Sequence, residues 1–228
     1  MNKILLIELH YLIFFLSSCS YSTSTDSLPG DQIIAVENGY VPSGKAGRLG
    51  VRDYIQWVQD SKNGFRKEKT INNLRFSVQF KPFEYIVCLE EKKSELADSI
   101  VRRKVSELND MQYYDLKIAL TKSSGEILKH ELTSTQQYQE RVNYYAFGMQ
   151  NDIQLLDGTD TLPCVLFHFE RSFDASPEST FLLGFPINRR EVSGDKTLII
   201  YDRIFSTGLI KFTFSKKELK NLPKLKTI

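Results

Sequence analysis

Between Leu74 and Lys81 the chain alternates apolar with polar side chains: Phe76, Val78 and Phe80 share one parity, Ser77, Gln79 and Lys81 the other. Successive strand residues point to opposite faces, so this pattern predicts a strand with one face buried, which requires a sheet and a cover over it. Pro82 ends the strand because it has no N–H for a ladder. Tyr114, Leu116, Ile118 and Leu120 alternate in the same way with Asp115, Lys117, Ala119 and Thr121. Through a turn at Ser123-Ser124-Gly125 they lead to an expected return strand, Glu126 to Leu132. Other strands are predicted at Phe65 to Ile71, Ile153 to Leu156, Thr161 to Arg171 after an Asp157-Gly158 turn, Thr180 to Phe185, Thr197 to Ile204 and Gly208 to Phe214.

Helices fall between these strands. Tyr54, Trp57 and Val58 give residues 53–60 helical spacing, with Asn63-Gly64 as a stop. Ser94 to Met111 carries an apolar stripe of Leu96, Ala97, Ile100, Val101, Val105 and Leu108, and Asp98 stands four residues before Arg102. Thr133 with Gln136, or Ser134 with Gln137, offers a capping box for a helix with Tyr138, Val142, Tyr145 and Met149 on one face. Ser215 and Glu218 offer another, stapled by Phe214 and Leu219 and stopped by Pro223. Phe83 to Leu89 is apolar throughout, and its periodicity fits helix and strand alike. Antiparallel strands with about three to four inserted helices make an α+β fold. It is expected over 51–228 as one core, with lobes at 51–150 and 151–228 as the alternative.

Ahead of this domain, Lys3 precedes thirteen mostly apolar residues, Ile4 to Leu16, closed by Leu16-Ser17-Ser18-Cys19. Such a run is too short to span a bilayer as a mature helix and reads as a secretory signal, residues 1–18. Its last four residues resemble the lipobox of bacterial lipoproteins. The resemblance implies export, lipid transfer to the Cys19 thiol, cleavage before Cys19 and acylation of the new amine, giving a membrane anchor through lipid. Ser20 is not the Asp associated with inner-membrane retention in such proteins, so the resemblance favours the outer membrane. Residues 19–50, rich in Ser, Thr, Gly and Pro, read as a flexible tether with a short strand at Gln32 to Val36. The Tyr54, Trp57, Asn63, Gly64, Pro82 layout also loosely resembles uncharacterised bacterial lipoproteins, which implies no activity.

Composition narrows function by exclusion. Thirty basic against twenty-eight acidic residues leave a net charge of +2, and the signal removes one of each sign. This near-balance gives no electrostatic footprint for nucleic acid. Once Cys19 carries lipid, Cys88 and Cys164 remain. A bridge between them would close a loop of about 75 residues and add about 4 kcal/mol. The alternative is two thiols packed separately as small hydrophobes.

The familiar motifs of chemistry are near misses. Gly39-Tyr40-Val41-Pro42-Ser43-Gly44-Lys45-Ala46 matches a phosphate-binding loop except at Ala46, where a hydroxyl should hold magnesium. His130-Glu131-Leu132-Thr133-Ser134 lacks the second metal-binding histidine, and in a strand those ends would lie about 13 Å apart. Cys164 and His168 fail as a pair on the same distance. Asn151-Asp152 and Asp157-Gly158-Thr159-Asp160 depart from calcium-loop spacing and read as turn residues. No catalytic, cofactor-binding or metal site emerges. Tyr113, Tyr138, Tyr144 and Tyr145 are candidate faces for a protein or glycan partner, or core fillers. The expectation is a lipid-anchored envelope protein acting as a non-catalytic binding or assembly module. A hydrolase of glycan or peptide with an unrecognised site, and a purely structural envelope lipoprotein, are the alternatives.

Overall fold

The computed structural model describes residues 35–36, 39–40, 47–108, 110–122, 125–171, 176–187 and 194–228. The signal with Cys19, most of the tether, positions 41–46 of the phosphate-loop look-alike and the Ser123-Ser124 turn lie outside them. The fold is α+β. In chain order, β1 (Ala35–Val36) pairs with β2 (Gly39–Tyr40), and β3 (Arg48–Leu49) leads into α1 (Val51–Gln59). Then follow β4 (Arg66–Ile71), β5 (Leu74–Lys81), α2 (Phe83–Glu91), α3 (Asp98–Leu108) and β6 (Met111–Leu120). After α4 (Thr135–Asn143) come β7 (Ile153–Asp157), β8 (Asp160–Pro163), β9 (Leu166–Glu170) and β10 (Ser179–Pro186). The chain closes with β11 (Lys196–Asp202), β12 (Gly208–Phe214), α5 (Lys216–Lys220) and β13 (Lys224–Leu225).

Two antiparallel sheets share one core. The larger has the order β4-β5-β6-β10-β9, the smaller β12-β11-β7-β8. From the larger sheet, Phe76, Val78, Tyr114, Leu116, Phe181 and Leu183 meet Ile153, Leu155, Leu198, Ile200, Phe212 and Phe214 of the smaller. Rings interlock across the gap, Phe214 lying 5.7 Å from Tyr114 and 6.2 Å from Phe80. Each such side chain contributes about 1.5–3 kcal/mol by leaving water. The larger sheet takes β4, β5 and β6 from before residue 150 and β9 and β10 from after it, so this core crosses the expected lobe boundary.

A second cluster joins α1, α2 and α3 through Tyr54, Trp57, Val58, Tyr85, Val87, Leu96 and Val101, with Phe80 shared between the two clusters. The C-terminal residues strap this cluster. β13 runs parallel to β3, and the Ile228 N–H donates to the Leu96 carbonyl at 3.0 Å. Leu49, on the tether side of the expected 50/51 boundary, is buried there.

Several local expectations change. Glu126 to Leu132 is not a strand: Ile127–Lys129 forms a single 3-10 turn, and β6 pairs with β5 and β10 instead. Phe83–Glu91 is helical, with Tyr85 to Cys88 buried in succession. The expected strand Thr161 to Arg171 is broken at Cys164-Val165, where the chain leaves the smaller sheet for the larger one. The candidate Cys88–Cys164 bridge is not formed. Both are free thiols, because Cys88 packs in the helical cluster and Cys164 between the sheets. No described helix is long and apolar enough to cross a membrane.

Candidate functional site

The site lies where a helix changes its hydrogen-bonding register beside a sheet edge. Ser134 starts α4 by accepting from the Gln137 N–H at 3.1 Å, while the Gln137 side chain accepts from the Thr133 N–H at 2.8 Å. After Asn143 the helix widens into a π turn, Tyr144–Gly148, and then tightens into a 3-10 turn, Met149–Asp152. Single π turns are rare and recur at functional positions. Here Arg141, Tyr145 and Met149 face inward. The Tyr145 ring meets Phe181 edge-on at 5.1 Å and Phe169 at 5.6 Å, pinning the turn beneath β9 and β10. Phe147, two residues on, is thrown to the other side and is 78% exposed.

β9 has its own irregularity. The Val165 N–H donates to the Gly184 carbonyl at 2.9 Å, although the register places Leu166 opposite Gly184. Two residues therefore face one, a β-bulge, and bulges recur where a chain is re-aimed near a site. Gly184 is required there, because a Cβ would stand 2.8 Å from that of Leu166. The bulge leaves Val165 51% exposed. Between the π turn and β9 lies an open hollow of about 420 Å³, lined by Ala146, Phe147, Gln150, Phe167, His168 and Phe169. Among the described residues, β9 pairs with β10 only. An exposed aromatic, an apolar hollow and an open strand edge together suit an extended segment that pairs by backbone and inserts side chains.

Polar groups gather on the outer face of the same sheet. Lys81 pairs with Asp115 at 3.1 Å, and Glu178 accepts from Arg75 at 2.9 Å and from Lys117 at 3.1 Å. Burial raises the Glu170 carboxyl above its ordinary value and Asp115 adds to this, against His168, Lys81 and Lys117. These charges largely answer one another across the strands. Among the described residues, no group of three or more His, Cys, Asp or Glu side chains could hold a metal ion.

The residues singled out by sequence are dispersed. His130 meets Asn73 at 2.7 Å and Glu131 at 3.3 Å beside the 3-10 turn. Cys164 is buried, its thiol donating to the Leu166 carbonyl, whereas His168 is exposed; burial pushes both Cys88 and Cys164 up to about 12. Asp152 accepts from the Tyr144 hydroxyl at 2.9 Å and pairs with Arg203 at 2.6 Å. Tyr113 and Tyr145 are buried, Tyr138 and Tyr144 half-buried. The exposed aromatic beside the hollow is Phe147, which is not among the candidate tyrosines. Its signal was in the sequence, as an aromatic off the Tyr138, Val142, Tyr145, Met149 stripe. Comparison with protein-family models, with curated proteins and with solved structures gives no match.

Proposed function

We propose that this chain is a lipid-anchored cell-envelope protein, attached through Cys19, whose α+β domain is a non-catalytic binding or assembly module. The open edge of β9, with Phe147 standing over it, is its contact surface. The anchor rests on the resemblance of Leu16-Ser17-Ser18-Cys19 to a lipobox, with the outer membrane favoured by Ser20. The binding role rests on one observation, the 78% exposure of Phe147 beside a strand that lacks a second described neighbour. Leaving a phenyl ring in water forgoes about 1.5–3 kcal/mol, which a partner covering it would recover.

Radiolabelled palmitate tests the anchor: wild type takes the label and Cys19→Ala does not, and label persisting in that variant refutes attachment there. A photoreactive side chain at Phe147 tests the surface, with one at exposed Thr213 on the smaller sheet as control. Adducts in the native envelope should form from position 147 and not from 213; equal yields, or none from 147, overturn the reading. A second reading, an extracytoplasmic hydrolase of glycan or peptide, draws on Glu170, whose carboxyl is raised by burial and then by Asp115. Turnover of a glycan or peptide library that is lost in Glu170→Gln would favour it.

A further inference from the structure

The partner's own chemistry can be read from β9, granted that β9 is the contact surface. The Gly184 carbonyl accepts from Val165 and so points toward β9. In an antiparallel ladder the polar groups of successive residues point alternately to either side. Through Gly184 and its register partner Leu166, this assigns the backbone groups of Leu166, His168 and Glu170 to β10. Those of Phe167 and Phe169 point to the open edge, where no described residue pairs with them.

The four edges of the two sheets are not alike. β4, at the far side of the same sheet, carries Arg66, Lys67, Glu68 and Lys69 in succession. β8 contains Pro163 and β12 contains Lys211. Charges, lysine above all, and proline are the ordinary guards against strand addition. β9 reads Leu-Phe-His-Phe-Glu, with no lysine or proline.

We propose that the occupant of this edge is a second copy of this chain, its β9 paired antiparallel with the first about a two-fold axis through Phe169. A two-fold pairing places the same patch on both partners, so the strand must complement itself. That requirement decides the register. A centre at His168 would set two imidazoles opposite each other, and a centre at Phe167 would set His168 opposite Leu166 and Glu170 opposite Cys164, so neither brings His168 and Glu170 together. Centring on Phe169 sets His168 opposite Glu170 of the second copy, twice over, as non-hydrogen-bonded pairs whose side chains approach most closely. Phe169 then exchanges both backbone bonds with its own copy. The two five-stranded sheets join into one, and the second strand lies along the hollow beside Phe147.

Sedimentation equilibrium of the full lipidated chain in density-matched detergent tests this. Wild type should dimerise. His168→Glu sets carboxylates opposite each other at both pairs and should weaken the dimer about tenfold or more, since like charges directly opposite each other are destabilising. His168→Glu/Glu170→Lys sets opposite charges across both pairs and should return the dimer to near wild-type strength. Phe147→Ser, altering only an exposed ring, should weaken it without changing the thermal unfolding of the monomer. A chain that stays monomeric, or a double variant as weak as His168→Glu, overturns the proposal. A monomer whose adducts from the envelope still depend on Phe147 refutes self-pairing and leaves β9 as a binding edge. A monomer whose adducts are indifferent to Phe147 refutes both.

Discussion

Replacing Tyr145 by phenylalanine should stabilise the protein. The ring holds the π turn against the larger sheet through Phe169 and Phe181, and none of these contacts involves the hydroxyl. That oxygen is buried with no hydrogen-bond partner among the described residues, while the residue as a whole is 1% exposed. Burial, with a smaller push from Asp202, also drives the phenol far above its ordinary range, so it stays neutral. A buried polar group without a partner costs about 1–3 kcal/mol. Tyr145→Phe removes that cost and keeps the ring, so a gain of about 1 kcal/mol is the conservative expectation. For a domain of this size that is a rise in Tm of about 2–4 °C. Urea unfolding should show a higher midpoint at an unchanged slope, since the surface exposed on unfolding hardly differs. A lower midpoint would mean that the hydroxyl is bonded to an ordered buried water and that the site is polar rather than strained. Tyr145→Leu is the control, because it discards the edge-on ring contacts and should destabilise.

Three further outcomes follow from other parts of the fold. Gly64 has φ +83°, and a Cβ there would stand 2.6 Å from the Glu218 carboxyl carbon, the group that caps α5 and pairs with Lys67. Gly64→Ala should therefore cost about 2 kcal/mol or more in thermal unfolding, and a cost under about 0.5 kcal/mol would show that Glu218 moves aside freely. Cys88 and Cys164 should react with a small thiol reagent only as fast as the protein opens, since burial pushes both up to about 12; prompt labelling of either in the native state contradicts their packing. Glu170→Gln should stabilise the monomer at pH 7, because the carboxyl's raised folded value means that its ionised form is disfavoured in the native state. Stability from this group falls as pH rises from the ordinary carboxylate value through the folded one, so the advantage of Gln should shrink as the pH is lowered through that window. A difference independent of pH would refute it.

Local alternation made much of the fold legible. Leu74–Lys81 has its expected bounds, and Gly208–Phe214 likewise, because one face of each lies in the shared core. The capping box at Ser215 forms with both bonds. Pattern failed where long-range partners decided. Leu128, His130 and Leu132 share a parity, yet Ile127 and Leu128 are both fully buried, which no half-buried strand allows. The edge of β6 that they would have filled is taken by β10, from much later in the chain. The turn is instead held by Arg141, which donates to the Leu128 and His130 carbonyls and stacks on Phe205 at 5.0 Å. Ser94–Ala97 resembled the start of α3, but the backbone there bonds to the C-terminal residues through Leu96.

The site was harder to read because its main property is relational. Nothing in Leu166 to Glu170 marks it as an edge; that status comes from β10 on one side and the crossing from β8, which no local period encodes. The π turn was likewise hidden, since Tyr145 and Met149 keep the four-residue spacing that an ordinary helix would give them. What the sequence did contain was a contrast between strands. Arg66 to Lys69 weakened the apolar pattern of β4, and that same weakness is what guards its edge. Leu166 to Glu170 carries no lysine or proline to guard its edge, and Phe147 marks the side from which a further strand would approach.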